Sequence, residues 1–187
     1  MPVRLVRPPR FGDARGWFSE TYSQARYTAL GIDSAFVQDN HSMSRDVGVL
    51  RGLHWQAPPY AQDKLVRCVR GAIWDVAVDT RRGSPTFGQW VAAELSADNG
   101  HQLFVPAGFA HGFVTLAPGT EVEYKVSAPY APDSEGGVRW DDPGLALPWP
   151  LPAGGPILSP KDETLPDLSE AISPFDYDGR PLEPIDA

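Results

Sequence analysis

The clearest pattern in the chain is the alternation over Thr120–Val126, where Glu121, Glu123 and Lys125 fall on one face and Val122, Tyr124 and Val126 on the other. A period of two marks a strand with one wet and one buried side, so Tyr124 is predicted to point inward between two valines. Similar short runs occur at Gly16–Tyr22, Phe36–Met43, Val47–Trp55, Lys64–Arg70, Ala72–Val78, Gln89–Leu95, Gln102–Val105 and Gly112–Leu116, punctuated by Gly and Pro. Many short strands at roughly 8–12-residue spacing predict an all-β sandwich or barrel. One segment reads as helix, Ser23–Leu30, with Ser23 as N-cap and Gly31 as the left-handed stop. From about Asp141 prolines crowd the chain, which predicts an irregular C-terminal segment wrapping the surface, with a short helix around Leu168–Ile172.

The same faces carry chemistry. In Lys64–Arg70, Lys64 shares a face with Val66 and Cys68, and a lysine among apolar neighbours is costly or has its pKa driven down. His54 is expected on one face with Leu50 and Gly52, beside Trp55. Three titratable side chains are thus aimed at a single interior.

Length and composition narrow the setting. The 187 residues fit one domain, 1–187, with a barrel core about 11–140 and a wrapping segment about 141–187. With 18 Gly and 20 Pro the chain is turn-rich, yet short of the composition at which disorder is the default. The formal charge of −8 argues against a nucleic-acid or anionic-membrane binder while permitting a local basic pocket. Cys68 stands alone, so no internal disulfide forms, and no stretch approaches the roughly 20 apolar residues that span a bilayer. The N-terminus has no apolar signal region, and the expected location is the cytoplasm.

Gly100 through His111 has the form Gly, five residues, then Pro106-x-Gly108-x-x-His111, and so resembles the second motif of cupins. That predicts a cupin-type jelly-roll barrel with a short N-terminal helix and an irregular Pro-rich C-terminal segment. Cupin metal sites draw two histidines and a carboxylate from a first motif. Here the corresponding region reads His54-Trp55-Gln56-Ala57-Pro58-Pro59, with one histidine and no acid before Asp63. A first-row metal wants at least three N/O ligands in a compact set, so no catalytic metal and no cofactor is expected. His111 is open to either reading, a hydrogen-bonded pocket or core histidine, or a ligand. His54 is either a satisfied core histidine beside Trp55 or a general base, since an ordinary imidazole titrates near neutral pH. In the second case Tyr124 supplies an acid and Lys64 a charge for a developing oxyanion, a set suited to proton abstraction beside a carbonyl. Arg15, Arg51 and Arg67 are candidate phosphate forks, or ordinary surface arginines. There is no Walker A, Gly-x-Gly-x-x-Gly or Gly-x-Ser-x-Gly sequence, so a nucleotide would be held without those loops.

Taken together, the motifs resemble one family. Asp13-x-Arg15-Gly16, Phe18-Ser-Glu20, Gln38-Asp-Asn40, Val49-Leu-Arg-Gly-Leu-His54, Lys64-Leu-Val-Arg-Cys-Val-Arg-Gly71, Pro106-x-Gly-Phe-Ala-His-Gly-Phe113, Tyr124-Lys and Leu158-Ser-x-Lys-Asp162 resemble the dTDP-4-dehydrorhamnose 3,5-epimerases. These are cupin-fold enzymes of deoxysugar synthesis, and the resemblance runs from about Phe11 to Asp162. It implies a cofactor-independent isomerase that inverts C3 and C5 of dTDP-4-dehydro-6-deoxy-D-glucose to give dTDP-4-dehydro-L-rhamnose, in dTDP-L-rhamnose biosynthesis. It implies His54 as base, Asp162 as its orienting carboxylate, Tyr124 as acid on the opposite sugar face and Lys64 as the residue facing O4. It also implies that Arg51, Gln38 and Asn40 hold the diphosphate and sugar, with Tyr130 near the thymine and His111 in the binding wall. Arg15, Phe18 and Glu20 are implied to reach the nucleotide across a homodimer interface. Asp63 departs from the family pattern, since an acid beside Lys64 can pair with it, although a regular strand turns the two to opposite faces. The alternatives are a 3-only epimerase, a metal-dependent cupin oxygenase and a non-catalytic sugar-nucleotide binder.

Overall fold

Short alternating strands can hide their apolar faces only against one another. They do so here as two antiparallel sheets in a computed structural model that describes residues 1–185. The elements in order are β1 (Arg4–Val6), β2 (Phe11–Asp13), β3 (Gly16–Phe18), α1 (Gln24–Ala29), β4 (Gln38–Ser44), β5 (Leu50–Gln56), β6 (Lys64–Arg70), β7 (Ala72–Asp79), β8 (Trp90–Ser96), β9 (Gln102–Val105), β10 (Phe109–Thr115), β11 (Thr120–Val126) and β12 (Glu135–Gly137). One sheet has the order β1-β9-β6-β11-β4, and the other β12-β5-β10-β7-β8. Strands β4 to β11 therefore wind as the predicted jelly roll, four strands to a sheet, and β1 and β12 extend one edge of each.

Three apolar layers result. Between the sheets lie Val66, Cys68, Ile73, Ala77, Leu95, Leu103, Phe109, Phe113 and Val122. Outside the first sheet, α1 covers Leu65 and Phe104 with Tyr27 and Ile32. Outside the second, the Pro-rich segment packs Leu145 and Phe175 on Leu53, Trp55, Val76 and Val78, with Trp149 edge-on to Trp74 at 5.0 Å. Each large side chain so buried contributes about 1.5–3 kcal/mol. The wrapping segment is thus an outer wall of the core. The last two residues assigned to it, 186 and 187, lie outside the described residues.

Three expectations are corrected and one element is added. The run at Gly16–Tyr22 is a strand only as far as Phe18, in a separate hairpin with β2. No helix forms around Leu168–Ile172, where Glu170 and Ala171 donate to the Asp167 carbonyl in a turn, because Pro166 and Pro174 leave too little chain to offset helix nucleation. Ser23 occupies the N-cap with extended backbone but makes no side-chain cap bond. Strand β12 is an addition to the sequence reading.

Candidate active site

Three strands, two from one sheet and one from the facing sheet, bring the central residues together. On β11, Tyr124 points inward between Val122 and Val126, both buried, as its alternation requires. Beside it on β6, Lys64 shares the inner face with Val66 and Cys68. On the other sheet β5 supplies His54 and Arg51. These four line two adjoining lobes of one cavity, about 320 and 220 Å³, which share His54, Lys64 and Tyr124.

Arg51 and His54 are three residues apart, so simple alternation puts them on opposite faces; His54 was expected to share a face with Gly52 and Leu50 instead. A bulge corrects this. Opposite β10, His111 pairs with His54 and Phe113 with Arg51, two residues against three. The extra residue re-aims the strand, and Arg51 and His54 enter the same cavity. Gly52 makes the bulge possible. Its φ is +131°, and a Cβ there would lie 2.5 Å from Gly112 Cα.

His54 Nε2 donates to Asp162 Oδ1 at 2.5 Å. Asp162 reaches that point because Ile157 pairs with the chain just before β5, its N–H donating to the Gly48 carbonyl at 2.8 Å and its carbonyl accepting from Leu50 N at 3.0 Å. Ser159 then caps the following turn and donates to Asp162 Oδ2 at 2.8 Å. Burial alone would raise the Asp162 carboxyl, but the hydrogen bonds from His54 and Ser159 outweigh it and hold the group below the usual carboxylate range. An ionised carboxylate only accepts, so it fixes the imidazole tautomer with the lone pair on the ring nitrogen turned away from it.

The facing groups are tuned differently. Burial raises the Tyr124 phenol, against the pull of Arg51, so it stays a proton donor. Burial pushes the Lys64 ammonium down to about 8, with Asp75 and then Glu135 pulling it back up. Asp63 does not compete for Lys64. Its oxygens accept from Ser34 Oγ at 2.6 Å and from Ala107 N at 2.8 Å. His111 is buried, lines the smaller lobe and meets Asp75 Oδ1 at 2.8 Å through Nε2. Gln38, Asn40 and Tyr130 line the larger lobe, where Gln38 donates to Asn40 Oδ1 at 2.8 Å and accepts from Tyr130 N at 3.1 Å. Among the described residues no group of three His, Cys, Asp or Glu side chains is placed to hold a metal ion.

This arrangement coincides with a match over most of the chain. A family model described as dTDP-4-dehydrorhamnose 3,5-epimerase aligns with residues 2–170. The chain belongs to that family. A dTDP-4-dehydrorhamnose 3,5-epimerase of Sinorhizobium fredii is 52% identical over 94% of this chain and 89% of its own. Among solved structures, the Bacillus anthracis dTDP-4-dehydrorhamnose 3,5-epimerase with TDP and PPi bound is 53% identical, with a TM-score of 0.84 over 87% of this chain and 92% of that one. The Legionella pneumophila dTDP-6-deoxy-D-glucose-3,5-epimerase, in complex with dTDP-4-keto-L-rhamnose, is 47% identical with a TM-score of 0.85 over 89% and 87%. A 3′-monoepimerase from Streptomyces bikiniensis is more distant, at 36% identity and a TM-score of 0.83 over 89% and 84%.

Not every residue expected in the site of this epimerase-family chain is brought to it. Arg15, Phe18 and Glu20 sit on or beside the β2–β3 hairpin, and none lines the cavity that holds His54. Arg15 is 89% exposed and, among the described residues, paired only with Asp13, while Glu20 pairs with Arg26 at 2.9 Å. Arg67, the third candidate fork, faces outward and donates to Glu123 Oε2 at 2.5 Å.

The reading of the sequence missed Glu135, which lines the larger lobe and accepts from Lys161 at 2.5 Å. It also missed Gln56, whose amide accepts from Ala131 N and donates to the Tyr60 and Pro129 carbonyls, shaping the loop that carries Tyr130. Glu135 precedes a Gly-Gly pair that reads as a turn, so nothing flagged it.

Proposed function

We propose that this chain inverts C3 and C5 of dTDP-4-dehydro-6-deoxy-D-glucose, giving dTDP-4-dehydro-L-rhamnose for dTDP-L-rhamnose synthesis. The observation that carries the mechanism is the placement of His54 on one sheet, paired with Asp162 of the wrapping segment, and of Tyr124 with Lys64 on the facing sheet, around one cavity. In a 4-keto sugar the hydrogens at C3 and C5 both neighbour the carbonyl, so losing either as a proton gives an enolate whose charge sits largely on O4. His54 takes that proton from one ring face, and Asp162 stabilises the imidazolium that forms. Lys64 offsets the charge on O4. Tyr124 returns a proton to the other face, which inverts the carbon; His54 then gives its proton to solvent and Tyr124 regains one from it, and the cycle repeats at the second centre. Each exchange is proton-neutral, and the sequence needs no redox step.

Arg51, Gln38, Asn40, His111 and Tyr130 are assigned to binding because they form the walls around the reacting groups. The nucleotide end is completed by a second copy of the chain. Phe11, Trp17 and Phe18 stand at 62, 60 and 68% exposure on a hairpin that lines neither lobe of the cavity. Three such aromatic rings together form an apolar patch of a kind that marks an interface. With Arg15 at its tip, the hairpin is suited to enter a partner's pocket. The enzyme so described acts in the cytoplasm.

The direct test is NMR of the 4-keto sugar nucleotide with this protein in D2O. Deuterium is expected at both C3 and C5 with the L-lyxo product. Label confined to C3 would assign a monoepimerase instead, and an unchanged sugar would overturn the activity. Because the chemistry needs Lys64 charged and burial has lowered it to about 8, kcat/KM is expected to fall as pH rises through that value.

A further inference from the structure

Residues 127–134 cross from β11 of one sheet to β12 of the other and carry Tyr130. Pro129 and Pro132 interrupt the segment and deny it a continuous ladder. Its backbone groups must therefore find partners among side chains, and three glutamines supply them. Gln62 Nε2 donates to the Ala128 carbonyl at 2.8 Å. Gln56 Nε2 donates to the Pro129 carbonyl at 3.1 Å, and its Oε1 accepts from Ala131 N at 2.9 Å. Gln38 Oε1 accepts from Tyr130 N at 3.1 Å. Residues 128–131 are thereby pinned, one after another, to β4, β5 and the connection between β5 and β6. The three glutamines and Tyr130 all line the larger lobe, where Tyr130 is 58% exposed.

Gln56 is the buried member of the three. A side-chain amide has two N–H groups. Gln56 gives one to Pro129 and the other to the Tyr60 carbonyl at 2.7 Å, so no donor is left for a ligand, and its oxygen is turned to Ala131. What Gln56 does for binding it does through the loop.

We propose that Gln56 is a positioning residue for the nucleotide: it fixes residues 128–131 so that the Tyr130 ring stands as a stacking platform for the base before any ligand arrives. A platform already in place spares the ordering cost of a loop that closes on its ligand. The proposal rests on the nucleotide-sugar reading of the cavity for its ligand, and on these hydrogen bonds for the brace itself.

The test is a double-mutant cycle on dTDP affinity, read by calorimetry, with Gln56→Met and Tyr130→Ala. Methionine keeps the length of glutamine and removes all three hydrogen bonds. Tyr130→Ala should raise the Kd for dTDP about tenfold through lost stacking. Gln56→Met should raise it about three- to tenfold in the parent, and less than about twofold once the Tyr130 ring is gone. In turnover, Gln56→Met should raise KM by a similar factor and leave kcat within about twofold. An affinity unchanged by Gln56→Met would overturn the proposal, because the loop then holds its shape without the brace. An equal loss with and without the Tyr130 ring would overturn it too, because Gln56 then serves the fold at large.

If Gln56→Met does not fold, hydrogen exchange in the parent protein decides. The Tyr130 and Ala131 amides should be protected before dTDP is added. Amides that exchange as in an open loop, and become protected only with dTDP, are fatal to a preformed platform. The cycle also separates this idea from the activity it serves. A Tyr130-dependent loss of dTDP affinity in a protein that leaves the 4-keto sugar unchanged overturns the epimerase reading and upholds the brace, whereas normal epimerisation without that coupling does the reverse.

Discussion

His54 works only as one half of a pair, and the pair spans 108 positions of sequence. The imidazole can abstract a proton because Asp162 presents an ionised oxygen to one ring nitrogen and leaves the other free. Replacing His54 by Ala is expected to lower kcat by about 10³-fold or more with the circular dichroism spectrum unchanged, since the side chain faces the cavity and supports no core layer. Asp162→Asn keeps the shape but lets the imidazole sit in the wrong tautomer, and kcat should drop by about 10²-fold or more. Near-parental rates in either variant would place the base elsewhere. Tyr124→Phe tests the other flank: abstraction still occurs, so solvent deuterium should enter faster than the carbon inverts, and the ratio read by NMR distinguishes a missing acid from a damaged pocket. Of these four residues, Tyr124 and Lys64 were legible as inward-facing from alternation alone, whereas His54 was placed on a face with Leu50 and Gly52 by an alternation that the bulge in β5 interrupts. Asp162 was not. It follows prolines in an irregular segment, carries no period, and was assigned only through resemblance, because the contact is made by a backbone bridge at Ile157 that local pattern does not encode.

The strand β5 shows why faces cannot always be counted in twos. Its bulge at Gly52 turns Arg51 and His54 to the same side, and the close approach of Gly112 leaves no room for a methyl group. Gly52→Ala is therefore expected to cost about 2–4 kcal/mol in urea unfolding, from strain and displacement together. Activity should fall by more than the folded fraction accounts for, because Arg51 and His54 lose their shared aim. Unchanged stability would mean that the bulge is softer than its geometry requires. Strand β12 escaped the sequence reading for a related reason. Gly136 and Gly137 look like a turn, yet added side chains would meet Trp55 Nε1 at 2.4 Å and the Leu53 carbonyl at 2.3 Å. Their bareness lets an edge strand run close against β5 and carry Glu135 to the cavity. The absent helix at Leu168–Ile172 is the opposite case, a local propensity overridden by flanking prolines.

At the level of the assembled protein the question is whether one chain makes a whole site. The hairpin bearing Arg15 and Phe18 lines neither lobe of the cavity of its own subunit, and the proposed enzyme takes its nucleotide end from a second copy. Arg15→Ala should raise KM and leave kcat less affected, while His54→Ala removes turnover. If the hairpin crosses between subunits, mixing and re-associating the two variants should restore about a quarter of parental activity at low substrate, since one site of each mixed dimer then has both residues intact. Mixtures no more active than the sum of their parts would show that each chain serves only itself. The hairpin was read from its motif and not from its pattern. Phe18 was singled out by that motif, whereas Phe11 and Trp17 were not and are marked by their exposure in the folded chain.

Alternating polarity, Gly and Pro punctuation and a Pro-x-Gly-x-x-His turn were enough to specify a β jelly roll and to aim a lysine and a tyrosine inward, because those properties depend on near neighbours along a strand. The bulge that aligns Arg51 with His54 and the return of Asp162 to the cavity depend on which strands come to lie side by side. Such contacts join residues tens of positions apart, and their energies exist only once the sheets have closed on one another.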